Sequence, residues 1–270
     1  MVNKTIYFSN NFFMYQLSFL FLATSLFAKY PFLIYYGNDY SLKHFSQYET
    51  VVLDPDSYPN VSFLSLSHTY AYLSLGEVHS GRSYFDSLRK ADLLDGTNHE
   101  WGSHHIKIDN GKWKKLLLEE VIPPIIQGGY KGIFLDTVDS LLARNLSKAE
   151  IADLIVSIHK KYPKLRLMLN RGFEIADMVP IHALVYESTI SGYNYKNNRF
   201  SLFDYDFRFI PKRPLERYSV DYWGGNNPKE IEKIYRIALE KGYKPLVTDR
   251  SLTKLPVVRW ESRKKRIEND

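Results

Sequence analysis

The sequence of 270 residues contains no cysteine. This absence excludes disulfide bonds, a thiolate nucleophile, cysteine-ligated metals and a lipid-modified cysteine at the mature N-terminus. The excess of positive charge is also small, with 36 Lys and Arg against 30 Asp and Glu and a net charge of +6. The only short basic run, Arg263–Arg266, lies in a polar tail and is typical of a solvated terminus. The sequence therefore predicts no nucleic-acid partner.

The N-terminal apolar run is shorter than the roughly 20 residues that a membrane span needs. It covers residues 16–28 (QLSFLFLATSLFA) and follows a start that carries Lys4 and no acidic residue. This pattern is typical of a signal peptide cleaved after Ala28, with an uncleaved anchor or an N-terminal core helix as the alternatives. We predict a secreted or periplasmic protein that has no membrane association after signal removal. Its predicted parts are a signal peptide at 1–28, one folded domain at 29–256 and a basic polar tail at 257–270.

What the sequence does contain is a balanced set of apolar and charged residues and a surplus of aromatic ones. Hydrophobic residues make up 44% and charged residues 24%, which is typical of a soluble globular domain. Aromatic residues reach 15%, including 21 Tyr. Aromatic rings fill cores in most proteins, but a flat apolar face with a polar edge also suits a pyranose ring.

Short apolar runs alternate with helical segments from residue 32 onward. This alternation is typical of βαβ units on a parallel sheet, whose strands are covered on both faces and are therefore continuously apolar. The eight runs are Phe32–Tyr36, Thr50–Leu53, Tyr70–Leu75, Gly132–Leu135, Leu165–Leu169, Ala183–Tyr186, Tyr218–Tyr222 and Pro245–Thr248. We predict the α/β class and a single-domain (β/α)₈ TIM barrel, for which the length of the chain is sufficient.

Three helices have clear signals. Ser147 and Glu150 form a capping box that opens a helix to about Lys161. A second helix runs from about Pro228 to Lys241 and is closed by Gly242. A third, from about Gly111 to Gln127, must bend or restart at Pro123-Pro124.

Two connections between predicted strands are long, and both follow strands on the face where TIM barrels build their active sites. The first runs from His79 to Asn110 and includes a candidate extra strand at His104–Ile108. The second runs from Ser188 to Arg217 and is rich in Tyr, Asn and Phe.

Polar or acidic residues stand at or near the carboxyl end of seven of the eight apolar runs. Helix caps explain part of this pattern, but Glu and Arg are poor capping residues. The residues are Asp54, Glu77, Asp136 with Asp139, Asn170 with Arg171, Glu187, Asp221, and Asp249 with Arg250, and their aromatic neighbours are Tyr36, Tyr72, Tyr186, Tyr222 and Trp223. Carboxylates converging among aromatic rings suit glycosidic bond cleavage, which needs a proton donor and a second carboxylate that attacks the sugar or activates water.

Two other functions use the same residue types. Clustered Asp and Glu can hold Mg²⁺ or Ca²⁺ in a metal-dependent hydrolase, although no histidine stands at a strand end. A non-catalytic carbohydrate-binding barrel is the other alternative, because a fold does not determine a function. The main hypothesis needs no metal and no cofactor.

Several segments resemble glycoside hydrolase family 114, which contains endo-α-1,4-polygalactosaminidases. The most specific are YLSLGE at Tyr72–Glu77 and GGYKGIFLDTVDS at Gly128–Ser140. Weaker matches, in the right order, are YYGND at Tyr35–Asp39, VVLD at Val51–Asp54, LMLNRG at Leu167–Gly172 and GYKPLVTDRSLTKLP at Gly242–Pro256. The segment after Glu187 departs from the pattern, which affects the sugar subsites.

The resemblance implies that Asp136 and Glu187 are the catalytic pair. It leaves open which of them is the nucleophile, with Asp136 preferred. Glu77 would be a substrate ligand or would tune the pair. The predicted substrate-binding residues are Tyr36, Asp54, Glu77, Asp139, Asn170, Tyr186, Asp221 and Trp223. The implied substrate is an amino-sugar polysaccharide such as partly deacetylated α-1,4-galactosaminoglycan.

The spacing of the implied pair predicts the stereochemistry. Two strands of separation put the two backbones roughly 10 Å apart. Side chains that lean inward bring the carboxyl groups to about 5–6 Å, which favours a retaining mechanism over an inverting one.

Overall fold

The fold is centred on an eight-stranded parallel sheet that curls into a nearly closed barrel. The computed structural model describes residues 30–64, 68–108, 111–194, 196–203, 209–224 and 227–256. The predicted signal peptide and the predicted tail at 257–270 lie outside these residues. The barrel strands, in spatial order, are β1 (Tyr30–Tyr35), β2 (Tyr48–Leu53), β3 (His68–Ser74), β7 (Gly132–Asp136), β8 (Arg166–Asn170), β9 (Ala183–Glu187), β12 (Glu216–Tyr222) and β13 (Lys244–Thr248). All eight predicted strands and the TIM-barrel fold are confirmed.

The barrel strands are buried on both faces, which explains their continuous apolar sequences. Alternate side chains point to opposite sides of the sheet. On β7, Phe134 packs in the cluster that fills the barrel, whereas Ile133 and Leu135 pack in the outer cluster beneath the helices. The same alternation holds on β9, where Val185 faces inward and Tyr186 faces outward.

In this barrel, an α-helix does not follow every strand. Helices occupy Phe85–Lys90, Lys112–Leu116, Ile122–Gln127, Val138–Ala143, Lys148–Lys161 and Pro228–Glu240. A 3₁₀ helix at Leu42–Gln47 follows β1, and within the described parts of the connections after β2, β8 and β9 there is no α-helix. Among the described residues no helix is both long and apolar enough to cross a membrane.

Local sequence signals explain the helix ends. Ser147 caps its helix and forms the predicted capping box with Glu150. Gly242, with φ +74°, follows the helix that Pro228 opens. The prolines at 123 and 124 lack the N–H groups that would bond to the carbonyls one turn earlier, and a π-helical turn at Leu117–Val121 precedes the restart at Ile122.

Both long connections form small sheets on the carboxyl-end rim of the barrel. After β3, the strands β4 (Glu77–Val78), β5 (Leu94–Asn98) and β6 (Ser103–Ile106) form an antiparallel sheet in the order β4-β6-β5. The candidate extra strand is therefore confirmed as β6, with shifted ends. After β9, β10 (Ser191–Asn194) pairs with β11 (Arg199–Leu202) in a hairpin.

Candidate active site

Three polar side chains stand in a row at the carboxyl ends of neighbouring strands. Asp136 ends β7, Asn170 ends β8 and Glu187 ends β9. Each lies two residues beyond a side chain that fills the barrel (Phe134, Met168 and Val185), so alternation along the strand directs all three to the barrel mouth.

Asn170 bridges the two carboxylates. Its Nδ2 donates to Asp136 Oδ1 at 2.9 Å and to Glu187 Oε2 at 2.7 Å. The two N–H groups of a planar amide diverge by about 120°, which puts the two accepting oxygens about 5 Å apart. The amide therefore sets the gap between the carboxylates and offsets part of their repulsion.

Two tyrosines bind the other carboxylate oxygens. Tyr72 Oη donates to Asp136 Oδ2 at 3.0 Å, and Tyr222 Oη donates to Glu187 Oε1 at 2.7 Å. Tyr36 packs edge-on against Tyr72, with ring centroids 4.7 Å apart. Burial raises the pKa of all three tyrosines well above the usual value, so their hydroxyls stay protonated, and those of Tyr72 and Tyr222 act as donors.

The surroundings of Asp136 raise its pKa. Burial and the neighbouring Glu187 raise the pKa of Asp136 to about 6, against the opposing effects of hydrogen bonds from Asn170, Thr137 and Tyr72. Among the described residues, no cationic side chain forms an ion pair with Asp136 or Glu187. The pair therefore keeps one proton up to about pH 6, as two close carboxyl groups do.

The backbone turns sharply after each of these three residues. Thr137, Arg171 and Ser188 have φ values of 62°, 54° and 52°, in the left-handed region that non-glycine residues seldom adopt. Such residues cost on the order of 1 kcal/mol each and cluster at functional sites. The Thr137 hydroxyl contacts the Asp136 carbonyl at 2.7 Å, Ser74 Oγ at 2.8 Å and the Gly76 amide at 2.8 Å, which fixes the turn.

Glu77 lies beside the pair in a separate network. It is 6% exposed and accepts hydrogen bonds from Ser103 at 2.6 Å, from Ser140 at 2.5 Å, and from Asn98 at 3.2 and 3.3 Å. Burial alone would raise the pKa of Glu77, but these donors outweigh it and lower the pKa. Glu77 is therefore held as an anion, and it links the rim sheet to the helix that follows Asp136.

Two further predicted residues lie near the cavity as members of ion pairs. Asp139 lines the cavity and pairs with Arg171 at 3.2 Å. Asp54 binds Arg82, which also contacts Asp56 at 3.1 Å. Asp54 itself is not among the residues that line the cavity, whereas Arg82 is. The guanidinium carbon of Arg82 lies 5.1 Å from the centroid of the Tyr72 ring.

The structure does not place Tyr186, Asp221 and Trp223 among the residues that line the cavity, although sugar binding was predicted for them. Tyr186 and Asp221 sit at outward-facing positions of β9 and β12 and are fully buried. Tyr186 donates to the Phe209 carbonyl at 2.6 Å, and Asp221 accepts from the amides of Ile190 and Ser191 at 2.8 and 2.9 Å. Trp223 lies near Phe200 of the rim hairpin, with ring centroids 6.4 Å apart.

The cavity at the barrel mouth has a volume of about 620 Å³. Its lining includes Tyr36, Tyr72, Glu77, Asp136, Asp139, Asn170, Glu187 and Tyr222, together with Arg82, Trp101 and Arg250. Those last three were not predicted as site residues. Arg82 and Trp101 lie in the long connection whose length pointed to a function, and Arg250 follows the eighth strand. Within the described ranges, no group of three or more His, Asp or Glu side chains is arranged to hold a metal ion.

The sequence model of the glycoside-hydrolase family GH114 matches residues 49–265. The glycoside hydrolase domain of PelA from Pseudomonas aeruginosa is similar in structure, with a TM-score of 0.71, 24% identity, and coverage of 84% of this chain and 97% of that domain. Ega3 from Aspergillus fumigatus, solved with galactosamine, has a TM-score of 0.57 and 13% identity over 84% of this chain and 93% of its own. The α-galactosidase TtGalA from Thermus thermophilus has a TM-score of 0.54 and 11% identity over 89% of this chain and 61% of its own. At these identities the structural likeness establishes the barrel fold. No protein of curated function matches the chain in sequence.

Proposed function

The chain belongs to the glycoside-hydrolase family GH114 and is a glycoside hydrolase, and we propose that it cleaves an amino-sugar polysaccharide internally by a retaining, two-carboxylate mechanism. The observation that carries the mechanism is the bridge from Asn170 to Asp136 and Glu187. A gap of about 5 Å between carboxylates matches retaining glycosidases, whereas inverting ones leave about 6.5–9.5 Å for a water molecule.

In this mechanism Asp136 attacks the anomeric carbon and Glu187 is the acid/base. The longer glutamate side chain reaches further from its strand, which suits a group that protonates the leaving oxygen and later activates water. The hydrogen bonds from Asn170 and Tyr72 hold both oxygens of Asp136 and fix its direction of attack. The pair holds one proton up to about pH 6, because burial and Glu187 raise the pKa of Asp136. The reactive form is the one in which Asp136 is ionised and this proton is on Glu187, which gives it to the leaving oxygen as Asp136 attacks the anomeric carbon.

The charge of the cavity supports an amino-sugar substrate. The arginines at the cavity are paired with carboxylates: Arg82 with Asp54 and Asp56, Arg171 with Asp139, and Arg250 with Glu100. The negative charge of the Asp136–Glu187 pair and that of Glu77, whose pKa is lowered, attract the ammonium groups of a galactosaminoglycan. Galactosamine, the sugar with which Ega3 was solved, belongs to this class.

The test uses the chain from Lys29 onward with partly deacetylated α-1,4-galactosaminoglycan and a fully acetylated counterpart, with the products sized by mass spectrometry. We expect a ladder of internal fragments from the deacetylated polymer. Asp136→Asn and Glu187→Gln should each reduce the rate by about a thousandfold or more while circular dichroism stays unchanged. Binding without fragments would refute hydrolysis and support a carbohydrate-binding protein, and a folded variant with normal turnover would remove that residue from the pair.

Retention is tested separately by proton NMR of the first anomer formed. An α-linked polymer should release the α-anomer first. Release of the β-anomer would refute the retaining mechanism and leave the hydrolase assignment intact.

Export through the leader at residues 1–28 is a further part of the proposal, supported by the apolar run and its charge pattern. Expression of the full chain followed by N-terminal sequencing of the extracytoplasmic protein should give Lys29 as the first residue. A chain that retains Met1 in the membrane fraction would identify an anchor instead.

A further inference from the structure

Trp101 is a large aromatic side chain that stays 53% exposed while lining the catalytic cavity. It lies in the turn between β5 and β6, on the rim sheet that follows β3. A single exposed aromatic side chain is ordinary on a protein surface, but one that also lines a catalytic cavity is placed to contact the substrate.

The ring is held in place from one side. The guanidinium of Arg250 lies over the Trp101 ring, 4.7 Å from its centroid, and pairs with Glu100 at 3.1 Å. Arg250 also lies 5.8 Å from the ring of Tyr193 on β10. Three connections of the barrel, after β3, β9 and β13, therefore meet at this guanidinium. A cation–π contact fixes one face of Trp101, and its exposed surface remains free for a ligand.

We propose that Trp101 is a stacking platform for a pyranose ring of the polysaccharide, at a subsite away from the bond that is cleaved. Arg250 is the positioning residue that holds the platform. This inference rests on the proposed function, because it assigns a further sugar of the same polymer to the same cavity. A flat, fixed apolar face loses little conformational entropy when a sugar ring stacks on it.

The platform and the catalytic pair are carried by different elements of the fold. Asn98, the last residue of β5 before the turn, donates to Glu77, and Glu77 accepts from Ser140 on the helix that follows Asp136. The platform therefore lies on the wall of the cavity, whereas Asp136 and Glu187 stand at the strand ends. A sugar that stacks on Trp101 contributes binding without contact with the reacting atoms, so only substrates long enough to reach the platform benefit from it.

The test compares Trp101→Ala with the wild type on long α-1,4-galactosaminoglycan and on its purified short oligomers. We expect KM for the long polymer to rise roughly two- to tenfold, as expected for one lost aromatic stacking contact, with kcat changed less than twofold. Short oligomers should show no change. Trp101→Phe should restore most of the affinity, and Phe63→Ala, at an 88% exposed position outside the cavity lining, is the matched control.

A second measurement reports on the ring itself. In the Glu187→Gln background, long polymer should change the tryptophan fluorescence, and Trp101→Phe should abolish that change. An equal KM for the wild type and Trp101→Ala on long polymer would overturn the platform, as would an equal loss on short and long substrates. A wild type that cleaves neither substrate would instead overturn the proposed function.

Discussion

Replacement of Asn170 by alanine tests whether one amide organises the catalytic pair. The change removes both hydrogen bonds, to Asp136 Oδ1 and to Glu187 Oε2. Water can enter the vacated space and replace one of them, so the net loss is that of one hydrogen bond to a charged group. Such a bond contributes about 1.5–3 kcal/mol, and we therefore expect kcat to fall roughly 10- to 100-fold.

The pH dependence gives a second, independent outcome. The hydrogen bond from Asn170 lowers the pKa of Asp136 and so opposes the effects of burial and Glu187, which together raise it to about 6. Loss of the amide should raise that pKa further. The alkaline limb of the kcat/KM profile reports loss of the one proton that the pair holds, so this limb should move to higher pH. Asn170→Asp adds a third carboxylate, should shift the limb in the same direction and should be the less active variant.

The assay is release of reducing ends from galactosaminoglycan across a series of buffers, with thermal melting to confirm folding. Asn60→Ala, which removes an exposed loop contact to the Ser62 amide, is the control and should leave both the rate and the profile unchanged. A folded Asn170→Ala variant with wild-type kcat and an unmoved alkaline limb would show that the amide neither positions the pair nor tunes its proton.

Two other carboxylates lead to distinct expectations. Glu77→Gln places an amide N–H against the donors Ser103, Ser140 and Asn98, so its melting temperature should fall by the equivalent of about 1–3 kcal/mol, with KM or the pH optimum changing more than kcat; a variant as inactive as Asp136→Asn would reassign the catalytic pair. Asp221 is fully buried, and burial raises its pKa to about 6 despite bonds from the Ser191 and Ile190 amides. The folded-state pKa lies above the unfolded one, so this group's contribution to stability is complete below about pH 4 and is lost as the pH rises through about 6. Asp221→Asn should therefore flatten the dependence of the melting temperature on pH between those limits, and an unchanged slope measured by calorimetry would contradict the assignment.

The strands could be predicted from sequence because each is covered on both faces and reads as one apolar run. The row of Asp136, Asn170 and Glu187 could be predicted in part, since the carboxyl ends of parallel strands meet at one rim. Tyr186 and Asp221 were expected at the cavity and lie elsewhere for one reason. Both lie at or near the end of an apolar run, yet the residue beside each of them, Glu187 or Tyr222, faces the mouth, and side chains alternate along a strand. Counting from an inward residue such as Val185 separates the two sets.

Other features of the site depend on contacts between segments that are distant in the chain. The cation–π contact between Trp101 and Arg250 joins a residue in the connection after β3 to a residue that follows β13. The bond from Tyr72 to Asp136 spans 64 positions. Loop conformation decides such contacts, and the loop sequences carry no periodic pattern from which it could be read. The predicted leader and tail lie outside the described residues and stay predictions.

The left-handed residues Thr137, Arg171 and Ser188 have a consequence for how this protein can diversify. Each ends the regular strand one residue after a functional side chain, so the rigid sheet carries that side chain and the connection to the next strand begins immediately afterwards. A loop that grows, shrinks or changes composition beyond this boundary leaves the positions of Asp136, Asn170 and Glu187 unaltered. Descendants of one ancestral barrel can therefore acquire new sugar preferences while inheriting the same bond-breaking groups.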